Sequence, residues 1–343
     1  GQTNNEGTAP LNWDVSKVTT METMFAGKTG GISAFNQPIG SWDVSKVTDM
    51  GSMFWGASVF NKPLDQWNVS NVTSMSGMFN NTPAFDQPIN TQEVTVNGSI
   101  YNAWDVSKVT DMSYIFTGAS VFNKPLDQWN VGNVTTMYGM FHNAGAFNNG
   151  QTNNEGTAPL NWDVSKVKNM SYIFAGASVF NQSIGSWDVS KVTYMQAMFS
   201  SAEAFDVDIS NWNVGNVIDM SYMFYNNSVF DQPINTQEVT VDSSTYTAWD
   251  VSNVTDMNNM FGAPNDGPNS VSVFNQPIGS WDVSKVNNME NMFYKASVFD
   301  QPIGNWYVGN VTSMEGLFSR ASSFDQDISN WDVGNVTDMD YMF

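Results

Sequence analysis

The chain has 343 residues and a formal net charge of −21, from 33 Asp plus Glu against 12 Lys plus Arg. Such a surface repels phosphate backbones and anionic membranes, which argues against nucleic-acid binding and leaves cations or basic partners as suitable company. With no cysteine and no run of 18 apolar residues, the segment excludes disulfides, thiolate zinc sites, cysteine nucleophiles and a membrane-spanning helix.

In chain order, the first recognisable unit opens at Trp13, after the leader GQTNNEGTAPLN. Further units open at Trp42, Trp67, Trp104, Trp129, Trp162, Trp187, Trp212, Trp249, Trp281, Trp306 and Trp331. Six of the eleven spacings are 25 residues and the other five are longer, so a 25-residue unit carries insertions near 26–34, 90–103, 148–159, 235–248 and 262–272. Twelve copies leave nothing over for a second domain. The expectation is a single continuous solenoid over 1–343, a segment of a longer chain or array, opening on Gly1 without a signal-peptide pattern.

Counting from Trp as position 0, Val stands at +2 and +5, Met at +8 and Phe at +12 in every copy. The run I-x-x-W-x-V (Ile39, Trp42, Val44) places Trp and Val on one face of a short parallel strand. The run M-x-x-M-F (Met50, Met53, Phe54) has the i, i+3, i+4 spacing of a short helical turn. Asp, Ser, Thr or Asn at +7 in eleven copies reads as its N-cap, and Gly or Asn two residues after the Phe as its left-handed stop. No single unit can bury its Trp, Met and Phe alone. Stacked units bury them against each other, with strands about 4.8 Å apart, and right-handed by the rule for parallel crossovers.

Two insertions are near-twins: NTQEVTVNGSIYNA at 90–103 and NTQEVTVDSSTYTA at 235–248. Each holds an alternating E-V-T-V run, Glu93, Val94, Thr95, Val96 and Glu238, Val239, Thr240, Val241, read as candidate assembly loops that contact another chain by strand addition. The Asn/Asp/Gly-rich run at 262–273 could hold a cation but lacks EF-hand spacing.

Position +1 points outward and is Asp in eight copies: Asp14, Asp43, Asp105, Asp163, Asp188, Asp250, Asp282 and Asp332. Stacked carboxylates repel, and the six Lys at +4 all follow such an Asp, as in Asp14/Lys17. Cross-neutralisation on a solvated face accounts for that pattern. An acidic ribbon that binds Ca²⁺ or a basic partner is the sharper alternative. Asn-X-Ser/Thr recurs at Asn71, Asn133, Asn253, Asn310 and Asn335, glycosylation acceptors if the protein passes through a eukaryotic secretory route.

The repeat resembles the BspA-like leucine-rich-repeat surface proteins. I-x-x-W-x-V has leucine-rich-repeat spacing, and W-D-V-S-K-V-T-D-M-S-Y-I-F (Trp104 to Phe116) is similar to the roughly 25-residue surface and lipoprotein repeat grouped with them. The resemblance implies a leucine-rich-repeat-like solenoid at the cell surface, in structural or adhesive roles, and carries no ligand or catalytic residue over.

Catalysis is not expected. The single histidine, His142, sits in F-H-N-A-G without a motif, and neither a P-loop nor H-E-x-x-H is present. The reading is an extracellular structural protein, a repeat rod in a surface fibre or filament that assembles with itself. The alternative is an adhesin that recognises a glycan or protein through its acidic face or loops, with Trp55 as the one aromatic of its type outside the Trp column.

Overall fold

The computed structural model describes residues 10–28, 31–152, 156–264 and 270–343. Parts of the insertions expected near 26–34, 148–159 and 262–272 lie outside the described residues. The chain divides into two compact units, Gly1–Lys166 with Ala177–Gln182, and Val167–Gly176 with Ser183–Phe343.

Within each unit the copies lie side by side in parallel register at position +7. The first unit pairs Thr20, Asp49, Ser74, Asp111 and Thr136 in succession; the second pairs Asn169, Tyr194, Asp219, Asp256, Asn288, Ser313 and Asp338. This is a tandemly repeated protein with periodic buried aromatics and, among the described residues, no α-helix.

The M-x-x-M-F run is therefore not helical, and its hydrogen bonds say why. In the copy opened by Trp42, Met53 N–H donates to Met50 O at 3.2 Å, Trp55 to Ser52 O at 3.1 Å and Ala57 to Phe54 O at 2.8 Å, three overlapping β-turns. The N–H groups between them reach the next copy: Met50 to Ser74 O, Ser52 to Ser76 O, Phe54 to Met78 O and Gly56 to Asn80 O, at 2.7–3.1 Å. Gly51 N–H donates to the Asp49 carboxylate at 2.8 Å. Every N–H from Met50 to Ala57 is thus satisfied without a helix. The pattern needs a left-handed residue at +10, and all twelve copies have one, with φ between 52° (Ser52) and 63° (Gly77). A right-handed helix cannot contain such a residue cheaply. The apolar spacing alone could not separate the two, because a β-turn from +8 to +11 also aims Met, Met and Phe inward.

The +7 side chains are likewise not helix caps. Asp49, Asp111, Asn169, Asp219, Asp256, Asn288 and Asp338 each accept the N–H two residues on, closing an Asx turn. The left-handed residue expected after the Phe is present in nine copies at +14, among them Gly56, Asn81 and Gly118, but it closes a turn rather than a helix.

I-x-x-W-x-V is not a strand. Trp42 N–H donates to Ile39 O at 3.1 Å and Val47 N–H to Val44 O at 2.9 Å, again two β-turns. Trp and Val are inward all the same. Indoles also tie copies together: Trp67 Nε1 donates to Ile39 O at 3.2 Å, Trp104 to Leu64 O at 2.8 Å and Trp249 to Ile209 O at 2.9 Å.

Inside each unit the +12 phenylalanines form a column. Phe54, Phe79, Phe116 and Phe141 follow one another at centroid distances of 5.5, 5.7 and 5.5 Å, nearly coplanar. Phe199, Phe224, Phe261, Phe293 and Phe318 do the same at 5.7–5.8 Å. Offset stacking at this distance adds to the area term, and each fully buried ring contributes about 1.5–3 kcal/mol by burial alone.

Candidate functional site

Two features rise out of this ladder, and both are the twin insertions. Strands β1 (Gln92–Val96) and β2 (Ser99–Ala103) pair antiparallel with Gln92 opposite Ala103; β3 (Gln237–Val241) and β4 (Ser244–Ala248) pair with Gln237 opposite Ala248. These are the only strands among the described residues. The E-V-T-V runs are thus strands, as their alternation predicts. Val94, Val96, Val239 and Val241 are half-buried, while Glu93, Thr95, Glu238 and Thr240 face solvent.

Each hairpin turns through two residues with positive φ, Asn97 and Gly98 in the first (51° and 82°), Asp242 and Ser243 in the second (48° and 69°). That is the type I′ geometry whose twist matches the strands. Each hairpin is moored at the same points. Thr91 and Thr236 hydroxyls donate to Trp104 O and Trp249 O at 2.7 and 2.9 Å. Tyr101 and Tyr246 hydroxyls donate to Gln66 O and Asn211 O, both at 2.6 Å.

A cleft opens where each hairpin leans over the repeats. The first, about 330 Å³, is bounded by the G-S-W-D-V-S run Gly40–Ser45, by Gln66 and Asn68, and by Val96, Asn97, Ser99 and Tyr101 of the hairpin. The second, about 700 Å³, has Gly185–Ser190, Asn211, Asn213, Val241, Asp242, Ser244, Thr245 and Tyr246. Equivalent residues are 145 apart throughout, as Trp42 and Trp187 show. In each cleft a tyrosine and a carboxylate approach one another. Burial, then the negative charge of Asp43, pushes the Tyr101 hydroxyl above its usual range; burial and Asp188 do the same to Tyr246.

The Asp column acts first on its own backbone. Asp14, Asp43, Asp105, Asp163, Asp188, Asp250, Asp282 and Asp332 each accept the N–H of the residue two places on, at 3.0–3.1 Å. Asn68, Asn130 and Asn213 do the same where Asn replaces Asp. The serine bonds hold the carboxyls of Asp14 and Asp282 below the usual range. The structure brings only Asp43 and Asp188 of this column into the clefts. Among the described residues no three of His, Cys, Asp and Glu converge as a metal site.

The expected Asp/Lys neutralisation acts at a distance: the charge of Lys285 adds to the serine bonds that lower the Asp282 carboxyl, and that of Lys46 does so at Asp14. Lys124 and Asp86 form an ion pair at 2.6 Å. Lys108 and Lys166 instead donate to Asn71 and Asn133 of the preceding copies, at 2.8 and 2.7 Å, and Lys285 to Asn253. The Asn of the N-X-Ser/Thr sequons is itself part of that ladder. Asn71, Asn133, Asn253, Asn310 and Asn335 each donate Nδ2, the atom that would carry a glycan, to a carbonyl of the copy before, at 2.6–2.8 Å. Trp55 is half-buried, and burial lowers the pKa of His142.

Sequence reasoning singled out the hairpins and two of the carboxylates, but not Tyr101, Tyr246 or the opposing G-S-W-D-V-S walls. A signal was there. Tyr101 and Tyr246 persist between twins that differ at four of fourteen positions, and the same hexapeptide precedes each hairpin by the same interval.

No curated protein and no solved structure matches the chain. The family model described as "Mycoplasma protein of unknown function, DUF285" matches residues 2–102, 93–158, 151–247 and 237–343. Those four tandem matches run through both units and both hairpins, so the chain belongs to the DUF285 family.

Proposed function

We propose that this is an extracellular binding module, in which the repeats wind as a leucine-rich-repeat-like solenoid of the BspA-like surface-protein kind and the two hairpin clefts engage a partner at a cell surface. The carrying observation is the duplication of the whole arrangement: the same moorings, the same tyrosine–carboxylate approach and the same facing hexapeptide, once in each unit. A loop kept only as tolerated drift does not need its hydroxyl anchor and opposing wall to be reproduced together. Concave sites with a few placed polar groups are where ligands bind, and two sites on one chain gain avidity when a partner spans both.

The test fills both clefts. Ser41 and Ser186 are exposed and line them. The double variant Ser41→Trp/Ser186→Trp is expected to lose binding to intact cells while its thermal unfolding stays that of the parent. Unchanged cell binding in a folded double variant removes the reading.

A second reading, a structural fibre, is favoured by the strand edges. Each hairpin is a sheet of only two strands, so each leaves edges without a strand partner, and such edges template association. Negative-stain imaging with and without a calcium chelator tests it. Ordered filaments that vanish in Thr95→Pro/Thr240→Pro support the fibre, and dispersed single particles at all concentrations sink it. Filaments lost on chelation would bring Ca²⁺ back to the Asp column.

A further inference from the structure

The clefts share a chemistry that narrows what they hold. Neither is lined by a Lys, Arg or His. Each is lined by a carboxylate and a tyrosine, beside side-chain amides (Gln66 and Asn68 in the first, Asn211 and Asn213 in the second). The ion pair Lys124–Asp86 occupies neither Asp43 nor Asp188. Lys46 and Lys191 follow these aspartates three residues on but do not line the clefts. Around both stands a chain of net charge −21, whose field gathers cations and turns anions away.

Resting on the binding reading above, we infer that each cleft takes a cationic side chain of a partner protein, a guanidinium or ammonium group lying between the tyrosine ring and the aspartate, and that the second cleft binds it more tightly because Asp242 stands where the first has Asn97. A planar guanidinium is served by both walls at once, as an ion pair on the carboxylate and as a cation against the ring. The rim decides the difference. Twelve lining positions correspond between the clefts: ten are identical, Gln66/Asn211 keeps an amide, and the charge changes only at Asn97/Asp242. Burial first, and then the charge of Asp43 or Asp188, raises the hydroxyl pKa of Tyr101 and Tyr246, so that a carboxylate charge reaches each tyrosine.

The repeat itself supplies a clean variant. Asn at position +1 makes the same turn-closing bond as Asp, as Asn68, Asn130 and Asn213 do. Asp43→Asn/Asp188→Asn therefore removes both charges and keeps both turns.

The experiment is calorimetric titration of the full chain with acetyl-arginine amide, with acetyl-citrulline amide as its uncharged twin and maltotriose as a neutral sugar, at low and high salt. Expected are two sites for the arginine probe, differing about two- to five-fold in affinity, as one added exposed charge allows, and weakened by salt. Asp242→Asn should make the sites equal, Asn97→Asp should tighten the first, and Asp43→Asn/Asp188→Asn should abolish both. Equal binding of the citrulline probe, or no heat with the arginine probe, overturns the inference. So does binding of maltotriose alone, which would make the clefts glycan sites and leave the broader binding reading standing. That broader reading falls separately, on the cell-binding assay with the tryptophan-filled clefts.

Discussion

From Met50 to Ala57 every backbone N–H is bonded within its own copy or to the next, and the side chains beneath are wholly buried at Met50, Met53 and Phe54. The β1–β2 hairpin, by contrast, is mostly exposed along β1 and moored by the hydroxyls of Thr91 and Tyr101 beside the buried Ala103 and Trp104. The ladder is over-determined: each residue answers to a neighbour above and below. The hairpin is determined at its base. The ladder therefore sets stability, and the hairpin is where sequence can change at little cost to the fold.

The strongest way to break that contrast is to cut the ladder. Phe116 lies fully buried between Phe79 and Phe141 in the stack, with Phe122 against it at 4.3 Å. Phe116→Ala should cost about 3–5 kcal/mol, since close neighbours on both sides limit collapse into the cavity. Urea unfolding followed by tryptophan emission measures it. A loss under 1 kcal/mol would mean that the copies are far more loosely coupled than the stack implies.

Cutting a hairpin's mooring should do less. Tyr101→Phe removes one hydroxyl whose bond to Gln66 O is 2.6 Å. About 1 kcal/mol is expected, confined to faster hydrogen exchange in β1 and β2, with the phenylalanine column unmoved. Alkali should act alike. Folding raises the Tyr101 and Tyr246 pKa above the ordinary value of about 10. The mooring is then fully present below the unfolded value and is lost as pH rises through the folded one, so hairpin protection should fall above about pH 10 while the ladder persists. Simultaneous melting of both would refute the separation.

A smaller effect compares the hairpins with each other. The second central residue of the turn is Gly98 in one and Ser243, at φ 69°, in the other. Glycine adopts that geometry freely and serine does not. Ser243→Gly should slow exchange in β3 and β4 by an amount corresponding to about 0.5–1 kcal/mol. No change would mean that the moorings, not the turn, set hairpin stability.

The contrast also explains what could be read from the sequence. The period, the buried columns and the hairpin strands were legible, because burial repeats at a fixed interval and E-V-T-V alternates like a strand. The backbone between was not. Ile39, Trp42 and Val44 look like a strand, and Met50, Met53 and Phe54 like a helix, yet both runs are chains of β-turns. Spacing reports which side chains face inward, and turns, strands and helices can each meet that demand over five residues. The deciding datum was the left-handed residue at +10, which is Tyr at 114, 172, 222 and 341 and Gly at only 77, 139 and 316, so composition did not mark it. The clefts were half legible for another reason: a cleft joins residues from two copies and a hairpin, and no single copy displays it.

The smallest expected effect lies in the ladder itself. Asp256 is half-buried; burial, and then the charge of Asp219 in the neighbouring copy, pushes its carboxyl above the usual range although the Asn258 N–H favours the charged form. Its stabilising share is therefore greatest when protonated, and is lost as pH rises through the folded value. At neutral pH it is a carboxylate held at some cost. Asn169 and Asn288 occupy the same position and close the same turn with an amide. Asp256→Asn should accordingly keep the turn, remove the repulsion with Asp219 and raise stability by a few tenths of a kcal/mol at pH 7. Below pH 4 the gain should vanish, because the native carboxyl is then neutral as well. A gain that persists in acid would assign the effect to packing rather than to charge, and the ladder of like charges would have to be balanced in some other way.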